Sequence, residues 1–207
     1  MRNVVLLGPP GAGKGTIAAR VAKEAGLLHL STGDMLRDEV TRGTELGRLA
    51  RAFMDRGELV PDHVVLAMVR ERVEDGRGVL LDGFPRTLAQ AEGLAQFLPV
   101  RVAVNLAVAK EEVVRRLGSR QVCGACGAVY NLVSQPPRAA GRCDRCDGNL
   151  LQRPDDAPEV VARRYEVYER DSRPLVEYYA QQGLLQAVDA ARPPDEVAAD
   201  VAEMLRS

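Results

Sequence analysis

Nine residues decide the fold of this chain: Gly8-Pro9-Pro10-Gly11-Ala12-Gly13-Lys14-Gly15-Thr16. They follow the short apolar run Val4-Val5-Leu6-Leu7, which predicts a buried strand, and they precede residues 17–23, which have helical character. In this context the glycines let successive backbone N–H groups point at an anion, and the positive end of the helix adds to them. Lys14 would reach the outer phosphates as a compact charge. The alternative is a glycine-rich turn that binds nothing, but Lys14 in its place after the glycines favours a phosphate loop.

The loop departs from the general phosphate-loop pattern at one position. That pattern ends in Lys-Ser/Thr, whose hydroxyl binds magnesium, whereas Gly15 follows Lys14 here and Thr16 comes one residue later. One helical residue turns a side chain about 100° around the axis, so we expect nucleotide oxygens and water, rather than Thr16, to hold Mg²⁺. The Gly-Lys-Gly-Thr variant resembles that of the nucleoside monophosphate kinases rather than that of GTPases or motor ATPases.

Length and composition fit one globular core, with room for inserted subdomains. The chain has 207 residues, of which 46% are apolar and 28% charged, and a formal net charge of −1. This charge argues against a general nucleic-acid-binding protein. Because no signal region precedes the first strand and no apolar run approaches the ~18 residues that span a bilayer, we expect a cytoplasmic protein without membrane association.

Short apolar runs alternate with helical segments along the rest of the chain. Four further strands are predicted, at residues 27–30, 79–82, 101–106 and 184–188. Helices are predicted between them, including residues 111–120, 174–183 and 194–205, and a helical region around residues 51–54 is expected to be interrupted by Gly43, Gly47 and Gly57. The alternation indicates an α/β fold, in which a five-stranded parallel sheet carries helices on both faces.

Several polar residues have two interpretations. Asp82 ends the third strand, where phosphate-loop enzymes commonly hold Mg²⁺ or its waters, although aspartates end many strands. Three pairs fit helix starts, so that Gln90 would serve only its own helix: Ser31 with Asp34, Thr87 with Gln90, and Asp156 with Glu159. Three cations would stabilise the C-terminal end of the predicted helix at residues 111–120, namely Arg115, Arg116 and Arg120. Arg163 is expected on an exposed helix face.

The four cysteines form two pairs, Cys123-Gly-Ala-Cys126 and Cys143-Asp-Arg-Cys146, separated by sixteen residues. This spacing is typical of four-thiolate zinc sites. Since four thiolates leave no open position, the zinc would be structural and would hold together a lobe too small to fold by itself. Disulfides or unpaired thiols are the alternatives, and a reducing compartment argues against disulfides.

Together these stretches resemble adenylate kinase, specifically the bacterial type whose lid binds zinc. The resemblance runs from the first strand to nearly the last helix. It rests on the loop from Pro10, on Ser31-Thr-Gly-Asp-Met-Leu-Arg37, on Leu81-Asp-Gly-Phe-Pro-Arg86, and on the cysteines followed by Arg153-x-Asp-Asp. It implies the fold of the P-loop nucleoside monophosphate kinases and reversible, Mg²⁺-dependent phosphoryl transfer from ATP to AMP, giving two ADP. It also implies a monomer.

The resemblance further implies a division of the chain. Residues 1–30, 61–118 and 157–207 would form one core, residues 31–60 an inserted AMP-binding subdomain, and residues 119–156 a zinc-binding lid. Val188-Asp189-Ala190 carries alanine where the family often has glycine, and this departure bears on the adenine contact near Arg192.

The resemblance also implies site residues at the matching positions. The catalytic cations would be Lys14, Arg86, Arg120, Arg153 and Arg164. ATP would be bound by Gly11, Ala12, Gly13, Lys14, Gly15, Thr16, Arg116, Arg120, Val129, Tyr130 and Arg192. AMP would be bound by Thr32, Arg37, Glu58, Leu59, Val60, Gly83, Phe84, Pro85, Arg86, Gln90, Arg153 and Arg164. Asp82 would act on Mg²⁺ through water, and the zinc ligands would be Cys123, Cys126, Cys143 and Cys146.

The chemistry of the residues agrees with this assignment. AMP brings an ionised phosphate oxygen, so the reaction needs no deprotonating side chain; it needs cations that offset the repulsion between two polyanions, and exclusion of water. One alternative is a kinase for another nucleotide pair, such as GTP with AMP. Another is a zinc-ribbon nucleic-acid-binding ATPase, which the net charge and the single aromatic residue between the cysteine pairs, Tyr130, argue against.

Overall fold

The computed structural model describes residues 2–73 and 76–206. Its strands are β1 (Val4–Leu7), β2 (Leu28–Ser31), β3 (Val79–Asp82), β4 (Val102–Ala107), β5 (Arg120–Cys123), β6 (Val129–Asn131), β7 (Leu150–Leu151) and β8 (Leu185–Asp189). Its α-helices are α1 (Lys14–Ala25), α2 (Thr32–Arg42), α3 (Glu45–Met54), α4 (Asp62–Arg72), α5 (Leu88–Ala95), α6 (Lys110–Gly118), α7 (Pro158–Val167), α8 (Pro174–Gln181) and α9 (Pro194–Met204). A 3₁₀ turn spans Pro154–Asp156, and a π-helical segment spans Tyr168–Ser172. None of the helices in these ranges is both long and apolar enough to cross a membrane.

The central sheet is parallel and contains five strands in the order β2-β3-β1-β4-β8, which confirms the predicted α/β architecture. β1 lies in the middle, where Val4 and Val5 are fully buried. Helices α1 and α9 pack on one face of the sheet, and α4, α5 and α8 pack on the other. Because both faces are covered, the strands read as continuous apolar runs rather than as alternating ones.

The carboxyl ends of three strands meet at the edge of the sheet that carries the glycine-rich loop. β1 leads directly into the loop, and its Leu6 is in register with Asp82 at the end of β3. Asp82 is in turn in register with Ser31 at the end of β2. The Ser31 hydroxyl accepts a hydrogen bond from the backbone N–H of Asp34, so the predicted helix start there is confirmed. This edge is where open α/β sheets bind ligands.

Helices α2 and α3 pack closely against one another beside this edge. Gly47 lies inside α3, so the expectation that this glycine interrupts the helical region was wrong. A Cβ atom at Gly47 would lie only 2.0 Å from the carbonyl oxygen of Glu39 on α2. The glycine therefore permits the close approach of two backbones, while Gly43, at a φ of +67°, ends α2.

The cysteine lobe, residues 120–151, contains an antiparallel sheet with the strand order β6-β5-β7. Arg120 is the first residue of this sheet and pairs with Asn131. The prediction of a helix over residues 111–120 was therefore too long, since α6 ends at Gly118. Strand pairing draws Arg120 out of the helical path, so this residue does not act as a helix-terminal cation.

Asp156 also differs from its predicted role as a helix cap. It lies in the 3₁₀ turn, and α7 begins at Pro158 behind Ala157 without a side-chain cap. Its carboxylate instead contacts the guanidinium groups of Arg120 and Arg164. A charged partner on β5 and another on α7 thus outweigh the local capping interaction.

Candidate active site

The glycine-rich loop adopts a conformation that only glycine accepts readily. Gly8, Gly11 and Gly13 have φ angles of +134°, +80° and +91°. At Gly8 a side chain is also excluded by space, because a Cβ atom would lie 2.6 Å from the carbonyl oxygen of Leu106. The loop delivers the chain into α1, whose first turn has no side-chain cap. The first N–H groups of the helix therefore have no side-chain acceptor from the capping residue, and an anion in the loop could accept from them.

Lys14 occupies the mouth of this loop. Its Nζ donates hydrogen bonds to the carbonyl oxygens of Gly8 and Pro9, at 2.7 and 2.8 Å. Burial lowers the pKa of Lys14 to about 7; the Asp82 carboxylate opposes this shift, and Arg86 and other nearby arginines add to it. An anion bound in the loop would favour the protonated form of the lysine.

Arginines from five separate parts of the chain lie close enough to Lys14 or to one another to interact electrostatically. They are Arg37 on α2, Arg86 in the turn after β3, Arg120 on β5, Arg153 before the 3₁₀ turn, and Arg164 on α7. Burial and the neighbouring arginines lower the pKa values of Arg86 and of Arg153 to about 10, and burial lowers that of Arg164 too. Because these arginines affect one another's pKa values, their guanidinium groups lie within electrostatic reach of one another; with a pKa of about 10, Arg86 and Arg153 remain charged at neutral pH.

Carboxylates offset part of this positive charge. Asp156, only 1% exposed, accepts two hydrogen bonds from Arg120, at 2.7 and 2.5 Å. Asp155 lies 3.0 Å from Arg164, and although burial alone would raise the pKa of Asp155, Arg164 and three other arginines hold it below its usual value. Arg37 pairs with Asp34 at 2.5 Å. Arg153 keeps a buried Nε atom that has no hydrogen-bond partner within the described residues.

A polar pocket follows β3. The Thr32 hydroxyl donates to the carbonyl oxygen of Gly83 at 2.9 Å, and the Arg86 Nε donates to the same oxygen at 2.7 Å. Gln90, nearly fully buried, accepts from the Arg86 backbone N–H and donates to Asp62. Thr87 caps α5 as predicted, but the Gln90 side chain reaches Arg86 instead of Thr87.

The sequence model of the adenylate kinase family matches residues 6–184. The chain belongs to the adenylate kinase family. It is 47% identical to the adenylate kinase of Archaeoglobus fulgidus, over 98% of this chain and 97% of that protein. It is 46% identical to that of Carboxydothermus hydrogenoformans, over 99% of both chains, and 45% identical to that of Petrotoga mobilis, over 99% of this chain and 98% of that protein.

In this family member, two residues predicted to contact the ATP base lie beside the turn after β8. The Arg116 Nη2 donates to the carbonyl oxygen of Ala190 at 2.7 Å, while its Nε pairs with Glu112. Arg192 is turned toward α9, where its guanidinium pairs with Asp200. The structure thus places Arg116 at the Ala190 turn, whereas the guanidinium of Arg192 is paired with a carboxylate of the protein itself.

Several residues predicted to bind AMP have side chains that point elsewhere. Phe84 and Pro85 are buried beneath the pocket, and Val60 is buried in the core. The Glu58 carboxylate accepts hydrogen bonds from Arg163, whose side chain is still 41% exposed on its helix face. Leu59 is half-buried. At the three buried positions the backbone, rather than the side chain, is the group that a nucleotide could contact, whereas the Glu58 and Leu59 side chains are partly exposed.

The two lid residues predicted to cover the nucleotide lie on opposite faces of the lobe sheet. Val129 is 47% exposed, whereas Tyr130 is 9% exposed and packs in the core of the cysteine lobe. The Tyr130 hydroxyl lies 3.4 Å from the Sγ atom of Cys143. Strand alternation turns the Tyr130 side chain toward the cysteines, so the backbone of Val129 and Tyr130 and the Val129 side chain are the groups there that could cover a nucleotide.

The four cysteine sulfurs form a cluster that could hold zinc. All four Sγ atoms lie within 4.8 Å of one another, and the Cys123–Cys146 and Cys126–Cys143 pairs are 3.5 Å apart. A tetrahedral zinc site with Zn–S bonds of ~2.3 Å sets its sulfurs about 3.8 Å apart, so the arrangement fits. The cysteines are free, which leaves the disulfide alternative without support.

Asp82 is suited to the magnesium role expected of it. It is 7% exposed, and a Cβ atom at Gly15 would lie 3.2 Å from its Oδ2 atom, which puts the carboxylate beside the first turn of α1. Carboxylate oxygens are ligands that Mg²⁺ prefers, directly or through water. His29 Nε2 lies 3.7 Å from the same oxygen.

Sequence reasoning missed the acidic members of the cleft. Asp155 and Asp156 hold Arg164 and Arg120, and Asp62 holds Gln90. The run Arg153-Pro-Asp-Asp156 was the available signal, since two carboxylates directly after an arginine suit an ion-pair network as well as a helix start. Which arginines they bind depends on β5 and α7 and is not encoded locally.

Proposed function

We propose that this protein transfers the terminal phosphoryl group of ATP to AMP, reversibly, giving two ADP. The observation that carries the proposal is the convergence of Lys14 and five arginines on one cleft, with the Nε atom of Arg153 buried and unpartnered among the described residues. Two nucleotides bring several negative charges into contact, and fixed cations offset that repulsion. A surface cleft for a neutral ligand would not need such an excess of buried positive charge.

The two nucleotides would occupy the two sides of the cleft. ATP phosphates would lie in the glycine-rich loop against Lys14 and Arg120, with the base near Arg116. AMP would lie in the polar pocket, with its phosphate against Arg37 and Arg86. Arg153 and Arg164 would contact the phosphoryl group between them. Three observations support this layout: the conformation of the glycine-rich loop, the hydrogen bond from Thr32 to Gly83, and the mutual effect of Arg86 and nearby arginines on their pKa values.

In this reaction no side chain of the protein has to form a covalent bond with the substrate. The attacking AMP oxygen is already ionised, so no side chain has to remove a proton. The cations hold both reactants in line and stabilise charge on the transferred group. Closure of residues 31–60 and 119–156 over the core would exclude water, which would otherwise hydrolyse ATP.

Magnesium would be held beside α1 by Asp82, through water, and when bound it neutralises phosphate charge and orients the terminal phosphates. The four cysteines would hold a structural zinc ion that stabilises the lobe. Four thiolates that bind zinc, with no disulfide among them, are typical of a reducing compartment, which supports a cytoplasmic protein. By likeness to the family we infer a monomer that acts without nucleic acid.

A substrate panel tests the proposal. The purified protein is incubated with Mg²⁺ and each of ATP, GTP or UTP, paired with AMP, CMP or UMP, and the products are separated by chromatography. We expect ATP with AMP to give ADP faster than any other pair. A preference for GTP with AMP would support the alternative nucleotide pair, and no diphosphate from any pair would overturn the proposal.

A further inference from the structure

The two cysteine pairs of the lobe are built alike around their first sulfur. The first cysteine of each pair faces the backbone N–H groups two and three residues later. These groups belong to Ala125 and Cys126 for Cys123, and to Arg145 and Cys146 for Cys143. Such N–H groups stabilise negative charge on the sulfur, and the hydrogen bond from the Arg145 N–H to the Cys143 Sγ atom is 3.4 Å long.

The sulfur of Cys143 also contacts a tyrosine. The Tyr130 hydroxyl lies 3.4 Å from the Sγ atom of Cys143 in a buried contact. The same hydroxyl oxygen accepts a hydrogen bond from the backbone N–H of Asp144 at 2.8 Å. Because that N–H occupies a lone pair of the oxygen, the hydroxyl proton is free to point at the sulfur.

The tyrosine ring is held in place by the lobe itself. Tyr130 packs with Ala128, Leu150 and the two buried cysteines in one apolar cluster. Its backbone pairs with Gln121 in the antiparallel sheet. Once the lobe is folded, a ring held by these contacts loses little further conformational entropy in making the contact with sulfur.

We propose that Tyr130 is a positioning residue of the metal site, whose hydroxyl donates a hydrogen bond to the Cys143 thiolate and slows the loss of the metal. This inference rests on the proposed zinc site. A metal-bound thiolate has no proton, so the tyrosine is the donor in this pair. Four thiolates around a divalent ion leave excess negative charge, and a donor at one sulfur reduces it while fixing the orientation of the ligand.

The direct test compares metal release from three full-length, zinc-loaded proteins. Tyr130→Phe removes only the hydroxyl and keeps the ring. Tyr179→Phe is the matched control, because its buried hydroxyl has no hydrogen-bond partner within the described residues and lies in the core instead of the lobe. With a chromophoric chelator in excess, we expect Zn²⁺ transfer to be about tenfold faster from Tyr130→Phe, and unchanged in the control.

Cobalt spectra separate hydrogen bonding to sulfur from a general loosening of the lobe. In proteins reloaded with Co²⁺, loss of the donor should shift the thiolate-to-cobalt charge-transfer band of Tyr130→Phe to lower energy. Should Tyr130→Phe fail to fold, wild-type protein carrying 3-fluorotyrosine, a stronger donor, should show the opposite shift. An unchanged release rate and an unmoved band would overturn the role of Tyr130, whereas a wild-type protein that takes up no Co²⁺ would overturn the metal site as well.

Discussion

Lys14 and Arg153 are cations of the cleft whose pKa values are lowered by burial. Lys14 donates to two carbonyl oxygens, and its pKa is lowered to about 7 by burial. Arg153 has a buried Nε atom without a hydrogen-bond partner among the described residues. An unsatisfied buried donor costs about 1–3 kcal/mol, so a phosphate oxygen that accepts from it recovers that free energy on binding.

Replacement of Lys14 tests the loop at this scale. Lys14→Met keeps the length of the side chain but removes its charge, so we expect kcat to fall by on the order of 10³-fold, as when a preorganised donor to a developing charge is removed. The melting temperature should change little, because no ion pair of this lysine is broken. Lys23→Met, at an exposed position on α1, is the control and should keep full ADP formation.

The lowered pKa of Lys14 predicts uptake of a proton when ATP binds. In the free protein the lysine is mostly neutral above pH 7, and a bound polyphosphate would raise its pKa back toward the ordinary value of 10.5 for a lysine. At about pH 8.5 binding should therefore take up about one proton, and the affinity should fall as the pH rises further. Calorimetry in two buffers of different ionisation enthalpy measures this uptake. Equal binding enthalpies in both buffers, for the wild type, would contradict the account.

At the scale of elements, close packing of helices decides what the sequence tolerates. Gly47 and Gly118 are both helical glycines with negative φ, yet their surroundings differ. A Cβ atom at Gly47 would meet the Glu39 carbonyl oxygen at 2.0 Å, whereas nothing lies within 4 Å of one at Gly118.

These two glycines give opposite predictions for the same substitution. Gly47→Ala should lower the free energy of unfolding by about 2–3 kcal/mol, since α2 and α3 must separate to admit the methyl group. Gly118→Ala should raise it by about 0.5–1 kcal/mol, since alanine restricts the unfolded chain without a clash. Urea titrations followed by circular dichroism measure both. A Gly47→Ala protein as stable as the wild type would show that the helices are not packed as described.

The cysteine lobe should depend on its metal. Its buried core consists of only Cys123, Ala128, Tyr130, Cys143 and Leu150 among the described residues, too little to fold a lobe alone. Removal of zinc by a chelator should lower the melting temperature of the wild type, and Cys143→Ser should lower it in the same way. Because the serine variant has already lost a ligand, the chelator should have little further effect on it. An unchanged melting curve after verified removal of zinc would count against a structural metal.

For the molecule as a whole, the sequence predicts features that depend on a short local pattern, but not contacts between residues that are far apart in the chain. The glycine-rich loop, each of the five parallel strands and each cysteine pair is a short stretch of sequence. The structure confirms the strands and brings the four cysteines together. The ion pair of Asp156 with Arg120 and the contact of Tyr130 with Cys143 join residues that are 36 and 13 positions apart in sequence. Local rules favoured a helix cap at Asp156, and the ion pair with Arg120 overrode it; the contact of Tyr130 with Cys143 has no local signal in the sequence.

The cleft exists only in the folded chain. Its arginines come from α2, the turn after β3, β5, the 3₁₀ turn region and α7, so no single element could gather them. Their mutual repulsion is offset by Asp155 and Asp156 within the protein, and by nucleotide phosphates when substrates bind. This arrangement accounts for direct transfer between two nucleotides better than for hydrolysis, because water has no charge for the cations to hold.

The most direct measurement follows the phosphorus of both nucleotides at once. Equimolar ATP and AMP with Mg²⁺ are mixed with the protein, and ³¹P NMR records ATP, AMP, ADP and inorganic phosphate over time. The account predicts that each ATP consumed removes one AMP and yields two ADP, with no inorganic phosphate. Accumulation of inorganic phosphate in step with ATP loss, or loss of ATP without loss of AMP, would contradict it.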